Sequence, residues 1–321
     1  MSTIPELLAR IARGQKGSRP LNREEARWLF DQLLQPDVDR LQLGATLIAL
    51  RVKEESEDEV AGFIEAARGH VTGYGKTSAP SGAVDLPCYA GKRNSTPAHL
   101  IAALRARDEG IPIFVHGLTE IAGRVTAWPP LESAGVRKAG SLDEAAKTLA
   151  GEGIVWMDIA DICPSVHGLL KLRAKLGVRS VASTIARMIN PLVCDGQLSG
   201  ASHNPFICRM CRINAIVGQK RSFVFRGTEG EPELDPKAGR NLAIQDGDSI
   251  SRVDCGLEAG GVRARSKIDT GLIIERFKAM RAGDMDEEEQ WLVERMKESF
   301  AYASTGKIPD GWKSEPFTNE K

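Results

Sequence analysis

The chain has 321 residues, 42% of them hydrophobic, and its 43 lysines and arginines are balanced by 43 acids. That length suits one large or two unequal domains with a substantial core, and without a run of about 18 apolar residues no transmembrane helix is expected. The opening MSTIPELLARIARGQKGSRP is amphipathic and basic and lacks the apolar core of a signal peptide, so a cytoplasmic location is expected.

Residues 1–70 read as four short helices. In IPELLARIARG the apolar residues Ile4, Leu7, Leu8 and Ile11 share one face, and Gly14 ends the helix. Asn22 caps NREEARWLFDQLL, whose acids lie in the first turn, where the helix dipole favours them. LQLGATLIALRVK is apolar almost all round, which predicts burial, and Ser56 caps SEDEVAGFIEAAR. VTGYGKTSAPSG (71–82) is a connector by composition.

Beyond it, strands and helices alternate. AVDLP is a short strand and TPAHLIAALRARDEG a helix. IPIFVHG is an apolar run typical of a buried parallel strand, SLDEAAKTLAGEG a helix capped by Ser141, and IVWMDIAD a further strand. This alternation predicts an α/β fold. The interval from Cys163 to Leu192 reads as long and helical, with Lys171, Lys175 and Arg179 at steps of four along one face; it is expected to rejoin the N-terminal helices. The expected domains are therefore 1–72 with 163–192, small and helical, and 80–162 with 193–321, large and α/β. SFVFRGTEG and SISRVDCG read as strands around a polar, turn-rich stretch, and DEEEQWLVERMKESFAYAST as an amphipathic helix.

Six cysteines, Cys88, Cys163, Cys194, Cys208, Cys211 and Cys255, do not suggest a disulfide scaffold in a chain of this length. Cys208 and Cys211 have the spacing of a zinc pair, with His203 and Cys194 upstream, but a second close ligand pair is absent. FICRMCRINAIV also reads as a helix, and buried core thiols are the expectation there.

Charge is unevenly spread. Between Asp161 and Glu229 the only acid is Asp195, against Lys171, Arg173, Lys175, Arg179, Arg187, Arg209, Arg212, Lys220, Arg221 and Arg226. A solvated face normally mixes both signs, so this interval predicts a positive surface that attracts polyanions. The N-terminal Arg10, Arg13 and Lys16 form a second basic patch. LPCYAGKRN (86–94), between a strand and a helix, lies where many α/β enzymes cradle a phosphate, yet it offers one glycine and the adjacent cations Lys92 and Arg93.

The order of elements resembles the anthranilate phosphoribosyltransferase family, grouped with the type II nucleoside phosphorylases as glycosyltransferase family 3. LNREEARWLFDQLL with LQLGATLIALRVKEESEDEVAGFIEAAR is similar to its N-terminal helices; VHG (115–117) to a Lys-His-Gly motif; LRAKLGVRSVASTIARMINPL to a Leu-Gly-Val-Arg-Thr…Asn-Pro segment; and FRGTEGE to a His-Gly-x-Asp-Gly turn. The resemblance implies a small helical domain plus a large α/β domain, commonly a homodimer through the helices, and transfer of a ribosyl group from phosphoribosyl pyrophosphate with Mg2+. Gly91, Asn94, His116, Gly117, Arg173 and Asn190 are then the remnants of the substrate pocket. The family's Gly-Thr-Gly-Gly-Asp loop is here Tyr89-Ala90-Gly91-Lys92-Arg93, its lysine before His-Gly is Val115, and its magnesium-binding acid pair is replaced by Glu231-Pro232-Glu233. Glu229, Glu231 and Glu233 are the acids left there that could hold a metal, but no metal site and no resident cofactor are expected.

The Thr228-Glu229-Gly230-Glu231 loop after Arg226-Gly227, the basic N-terminus and the altered glycine loop resemble a subgroup, the YbiB-type proteins, which keep the fold, lack the phosphate loop and bind nucleic acid. The leading expectation is therefore sequence-independent DNA or RNA binding through a basic groove. Its contacts would come from Lys171, Lys175, Arg179, Arg187, Arg209, Arg212, Lys220 and Arg221, with Arg10, Arg13, Lys16, Lys92 and Arg93 as further contacts and Tyr89 as the one stacking candidate. The alternative is a divergent Mg-dependent phosphoribosyltransferase or nucleoside phosphorylase.

Overall fold

A computed structural model describes residues 3–14, 16–201, 203–236, 242–256 and 268–317. The chain divides into two compact units, Met1–Tyr74 with Ile159–Pro191, and Gly75–Asp158 with Leu192–Lys321.

The first unit is helical. Thr3, Asn22 and Ser56 each form a reciprocal capping box with the glutamate three residues on, fixing the starts of Ile4–Ile11, Arg23–Leu33 and Glu57–Gly69. A buried carboxylate ties the connections together: Glu59 accepts from the Leu21 backbone N–H (2.9 Å), the Ser56 N–H (2.7 Å) and Lys53 Nζ (2.7 Å). The helix Arg40–Lys53 departs from expectation. It buries Leu43, Leu47 and Leu50 but leaves Leu41 81% and Val52 70% exposed, so its apolar surface is only partly covered within the unit. The long helical interval is also interrupted. Gly177, left-handed at φ 72°, stops Arg173–Leu176, and the chain turns helical again only at Ala182–Met188. Lys171 and Lys175 therefore sit on short helical pieces and Arg179 beyond the break, not on one continuous face.

Among the described residues, the second unit is built on an eight-stranded mixed sheet. In chain order its strands are β1 (Val84–Cys88), β2 (Ile113–Gly117), β3 (Ile154–Asp158), β4 (Gly196–Ala201), β5 (Arg221–Arg226), β6 (Leu242–Asp246), β7 (Ser249–Asp254) and β8 (Lys313–Pro316). The sheet order is β3-β2-β1-β4-β5-β6-β7-β8. The first five strands in that order are parallel and the last three antiparallel. β1 connects outward to β2 on one side and β4 to β5 on the other, so the order reverses between β1 and β4. In open parallel sheets that switch point, at the carboxyl ends of the strands, is where ligands bind.

Three strands, β4, β6 and β8, and the helix Thr270–Arg281 were not expected from sequence. β4 reads GQLSGA, with two glycines and no β-branched residue. A Cβ on Gly196 would lie 2.3 Å from the Ala303 carbonyl, and one on Gly200 the same distance from the Glu231 carbonyl. The glycines thus allow close approach to a central buried strand. Residues 237–241, in the polar stretch before β6, lie outside the described residues.

Two glycine substitutions separate these roles. Gly44, inside Arg40–Lys53, has open space around an added Cβ, so Gly44→Ala is expected to stabilise the protein by about 0.5–1 kcal/mol. Gly196→Ala forces backbone to move and is expected to destabilise it by about 1–3 kcal/mol. Urea midpoints of the two variants would show opposite signs.

Candidate functional site: a loop closed by three carboxylates

The loop after β1 and the turn after β5 meet at the switch point. Gly91 has φ 67°, and a Cβ there would lie 2.9 Å from the Arg124 Cβ, so the bend requires glycine. Lys92 pairs with Val125 through two backbone hydrogen bonds of 2.7 Å, and Arg124 Nη1 donates to the Gly91 carbonyl at 2.8 Å. With the loop so pinned, four of its backbone N–H groups converge on carboxylates. Ala90 N (2.7 Å) and Gly91 N donate to Glu231 Oε1. Arg93 N (3.0 Å) and Asn94 N (3.2 Å) donate to Glu229, as do Asn94 Nδ2 (3.2 Å) and Ser95 Oγ (3.0 Å). Backbone N–H groups gathered in this way form an anion cradle. Here the anions belong to the chain.

Glu229 holds φ 58°, a conformation that costs a non-glycine residue about 1 kcal/mol or more, and its four donors offset that strain. Glu231 rests against glycine: a Cβ on either Gly200 or Gly227 would come within 2.3 Å of its carbonyl oxygen.

Glu233 is the third anion. Its Oε1 accepts from Lys92 Nζ at 2.6 Å, while its Oε2 takes the His99 backbone N–H (3.2 Å) at the start of the helix Ala98–Asp108 and lies 3.0 Å from His99 Nδ1. Burial pushes the Glu233 carboxyl up, but the Lys92 ammonium and His99 outweigh it and hold it down at about 2. Lys92 is only 1% exposed. The expectation that it forms a cationic rim is therefore corrected: its charge is spent inside, against Glu233.

Other sequence-based expectations are revised on burial. Tyr89 is buried, with its Oη 2.7 Å from His116 Nδ1, so it is not an exposed stacking platform. His116 is wholly buried above Asp85, whose other oxygen accepts from Gln197 at 2.8 Å; it belongs to a core polar network and does not line an open pocket. A Cβ on Gly117 would meet the Cys88 carbonyl at 1.9 Å, so this glycine answers strand packing. Asn94 and Gly91 do belong to the cradle, whereas Arg173 (exposed) and Asn190 (buried, φ 42°) lie in the helical unit.

Among the proposed polyanion contacts, Arg221 is buried, donating from Nε to the Ala303 carbonyl at 3.0 Å. Arg187 is buried against the Ser183 carbonyl at 2.6 Å. Arg10 pairs with Glu25, with 2.8 Å between Nη1 and Oε1. Arg209 stacks on the Phe206 ring at 5.5 Å, and Arg179 and Arg212 are half-buried. Lys220 is exposed but 3.1 Å from Asp195. Lys171, Lys175, Arg13, Lys16 and Arg93 are exposed. Cys211 is buried and Cys208 half-buried on the helix Pro205–Ile216, burial pushes both thiols up, and among the described residues neither falls in a group of His, Cys, Asp or Glu side chains close enough to share a metal.

The chain and its fold have clear relatives. Residues 5–71 match the family described as "Glycosyl transferase family, helical bundle domain". The uncharacterized protein YbiB of Escherichia coli (strain K12) is 32% identical over 72% of this chain and 73% of its own. The anthranilate phosphoribosyltransferase of Methylobacterium nodulans is 30% identical over 77% of this chain and 72% of its own. The chain belongs to the anthranilate phosphoribosyltransferase-like glycosyltransferase family. The family fold extends through both units: anthranilate phosphoribosyltransferase from Thermus thermophilus superposes with a TM-score of 0.77 at 18% identity, over 96% of this chain and 91% of that one. The Saccharomyces cerevisiae enzyme, solved in complex with PRPP and Mg, gives 0.66 at 13% identity over 94% of both chains. Among the described residues, no helix is long and apolar enough to cross a membrane.

The family's magnesium can be tested against the residues present. Mg2+ requires near-octahedral oxygen ligands. Glu229 is saturated by loop donors and Glu233 by Lys92 and His99, and the remaining oxygen, Glu231 Oε2, belongs to a carboxylate grouped with a thiol and an imidazole. In this arrangement the donor set does not fit Mg2+.

Glu233 also makes an acid-stability prediction. Its folded value lies below the ordinary 4.5, so its stabilisation is fully present above about pH 4.5 and is lost as pH falls toward about 2. Glu233→Gln, which strands Lys92, is expected to cost about 3 kcal/mol at pH 7. In urea titrations the gap to the native chain should narrow steadily from pH 5 to pH 3; a gap independent of pH would contradict the assignment.

Proposed function

We propose that this chain binds a phosphorylated pentosyl ligand of the phosphoribosyl pyrophosphate class in the loop 89–95, and that Glu229 and Glu231 occupy the cradle until the ligand displaces them. The observation that carries this reading is the convergence of the Ala90, Gly91, Arg93 and Asn94 backbone N–H groups on two carboxylates at the switch point of the sheet. Those donors are what a diphosphate takes up, and the carboxylates stand in for its oxygens. The relatives support the same ligand class, since several are anthranilate phosphoribosyltransferases and one neighbour was solved with PRPP and Mg. Arg124, whose Nη1 is 3.8 Å from Glu229 Oε2, adds a cation beside the position a phosphate would fill.

In the closed arrangement the chain's own carboxylates fill the cradle, and both binding and transfer require them to yield. Neutralising either one weakens its hold on the N–H groups, because hydrogen bonds to a charged acceptor are about twice as strong as those to a neutral one. Glu231→Gln and Glu229→Gln are therefore expected to tighten binding of phosphoribosyl pyrophosphate about tenfold, a difference of about 1.4 kcal/mol, read by calorimetry with and without Mg2+. If millimolar ligand neither binds nor raises the melting temperature of the native chain and both variants, the proposal fails.

A second reading, nucleic-acid binding, rests on a different surface. Lys171, Arg173 and Lys175 are exposed within 5 residues of one another, and Arg13 and Lys16 are exposed in the same unit. This reading predicts that fluorescence anisotropy of a labelled oligonucleotide falls steeply with salt, by about 0.9 in log K per log salt for each neutralised phosphate of duplex DNA. Lys171→Ala with Lys175→Ala should reduce that slope by about 2; an unchanged slope would remove these residues from any such surface.

A further inference from the structure

Beneath the cradle lies a second constellation. Cys88 ends β1, His99 stands in the first turn of Ala98–Asp108, and Glu231 belongs to the turn after β5. The Cys88 sulfur, a His99 ring nitrogen and a Glu231 carboxylate oxygen lie within 4.8 Å of one another, and all three residues are buried. Cys88 Sγ is 3.8 Å from His99 Nε2. Tetrahedral zinc, with bonds of about 2.3 Å to sulfur and 2.0 Å to nitrogen, sets those two atoms about 3.5 Å apart.

We propose that Cys88, His99 and Glu231 form a binding site for a borderline-soft divalent cation, zinc in the first instance. Three independent features point to it. The first is Glu231 Oε2, which is buried and has no hydrogen-bond partner among the described residues, although its sister oxygen takes two backbone N–H groups. An unpaired buried carboxylate oxygen is costly, and a bound cation removes that cost. The second is the orientation of His99. Glu233 lies 3.0 Å from Nδ1, an arrangement in which Nδ1–H donates to the carboxylate and Nε2 keeps its lone pair toward Cys88. A carboxylate behind the ligating histidine is the usual outer-shell support of a zinc site. The third is composition: one sulfur, one nitrogen and one carboxylate oxygen suit zinc and disfavour magnesium or calcium.

Binding releases the thiol proton, so a thiolate and a carboxylate balance the two charges of the ion. Its fourth position is left to a small exogenous ligand such as water. A nucleophilic role for the same thiol is disfavoured by its burial, since Cys88 is 1% exposed and closed off from a substrate. The site does not depend on the cradle's taking a phosphate. It does bear on the cradle, because a cation on Glu231 anchors the residue whose other oxygen closes it.

The test uses the full chain, stripped with chelator and loaded with Co2+ or Zn2+ either directly or during refolding from denaturant. One equivalent of Co2+ is expected to give thiolate-to-metal absorption in the near ultraviolet and tetrahedral bands in the visible. Zinc should displace it at one ion per chain by elemental analysis. Cys88→Ser should abolish the thiolate band and weaken zinc binding at least 100-fold, and His99→Ala should weaken it similarly, with circular dichroism reporting that each variant is folded. Cys208→Ser should change neither. Absence of thiolate absorption in the native chain would overturn the site whether or not the variants fold, and so would an undiminished equivalent of zinc in folded Cys88→Ser.

Discussion

Backbone N–H groups at the carboxyl end of a parallel sheet need partners, and in this chain the partners are carboxylates two residues apart in a single turn. Glu229 and Glu231 take the N–H groups of the loop after β1, and Glu233 takes the lysine and histidine that follow. Much of the surrounding structure is arranged to let that turn approach. Gly200 in β4 and Gly227 after β5 both lie against the Glu231 carbonyl where a side chain would not fit. Leu234, just beyond the turn, is buried in the core, and Thr228 bonds across to its carbonyl at 3.0 Å. An acidic turn packed so tightly against a cation-bearing loop neutralises charge locally, which is how the buried Lys92 is tolerated.

The scaffold was more legible in the sequence than the site. Capping residues at Asn22, Ser56 and Ser141 and the apolar runs at 113–117 and 154–158 announced their elements directly. Periodicity failed where packing overrode it. β4 carries glycines because other backbones press on both its ends, and glycines in sequence read as turns. The apolar helix Arg40–Lys53 looked buried all round, yet only part of its surface is covered within its unit. Gly177 split a face that steps of four had drawn as continuous.

At the site, the sequence displayed every participant but not the pairings. Lys92 and Arg93 are adjacent cations, and only the fold separates them: one is buried on Glu233, the other is exposed. Glu229, Glu231 and Glu233 stood out in sequence as the acids left where the family's acid pair is missing; the structure turns Glu229 and Glu233 fully onto loop and side-chain donors. Cys88 and His99 drew no attention as a pair, since their separation of 11 positions in sequence matches no familiar metal spacing. The signal was present only as chemistry, a thiol at the end of a buried strand and a histidine in the first turn of the next helix.

A cradle filled by a tethered anion is also a competition assay built into the chain. Glu229 and Glu231 are held beside the loop by the turn that follows β5, so to an anion of the proposed kind they are intramolecular competitors whose effective concentration does not fall on dilution. On the proposed reading, a single phosphate reaches one set of N–H groups and leaves the other carboxylate in place, whereas a diphosphate can take both sets at once. On that reading, the feature that closes the loop also sets a threshold of valence: two linked phosphoryl groups compete with both carboxylates together, a single one with only one of them.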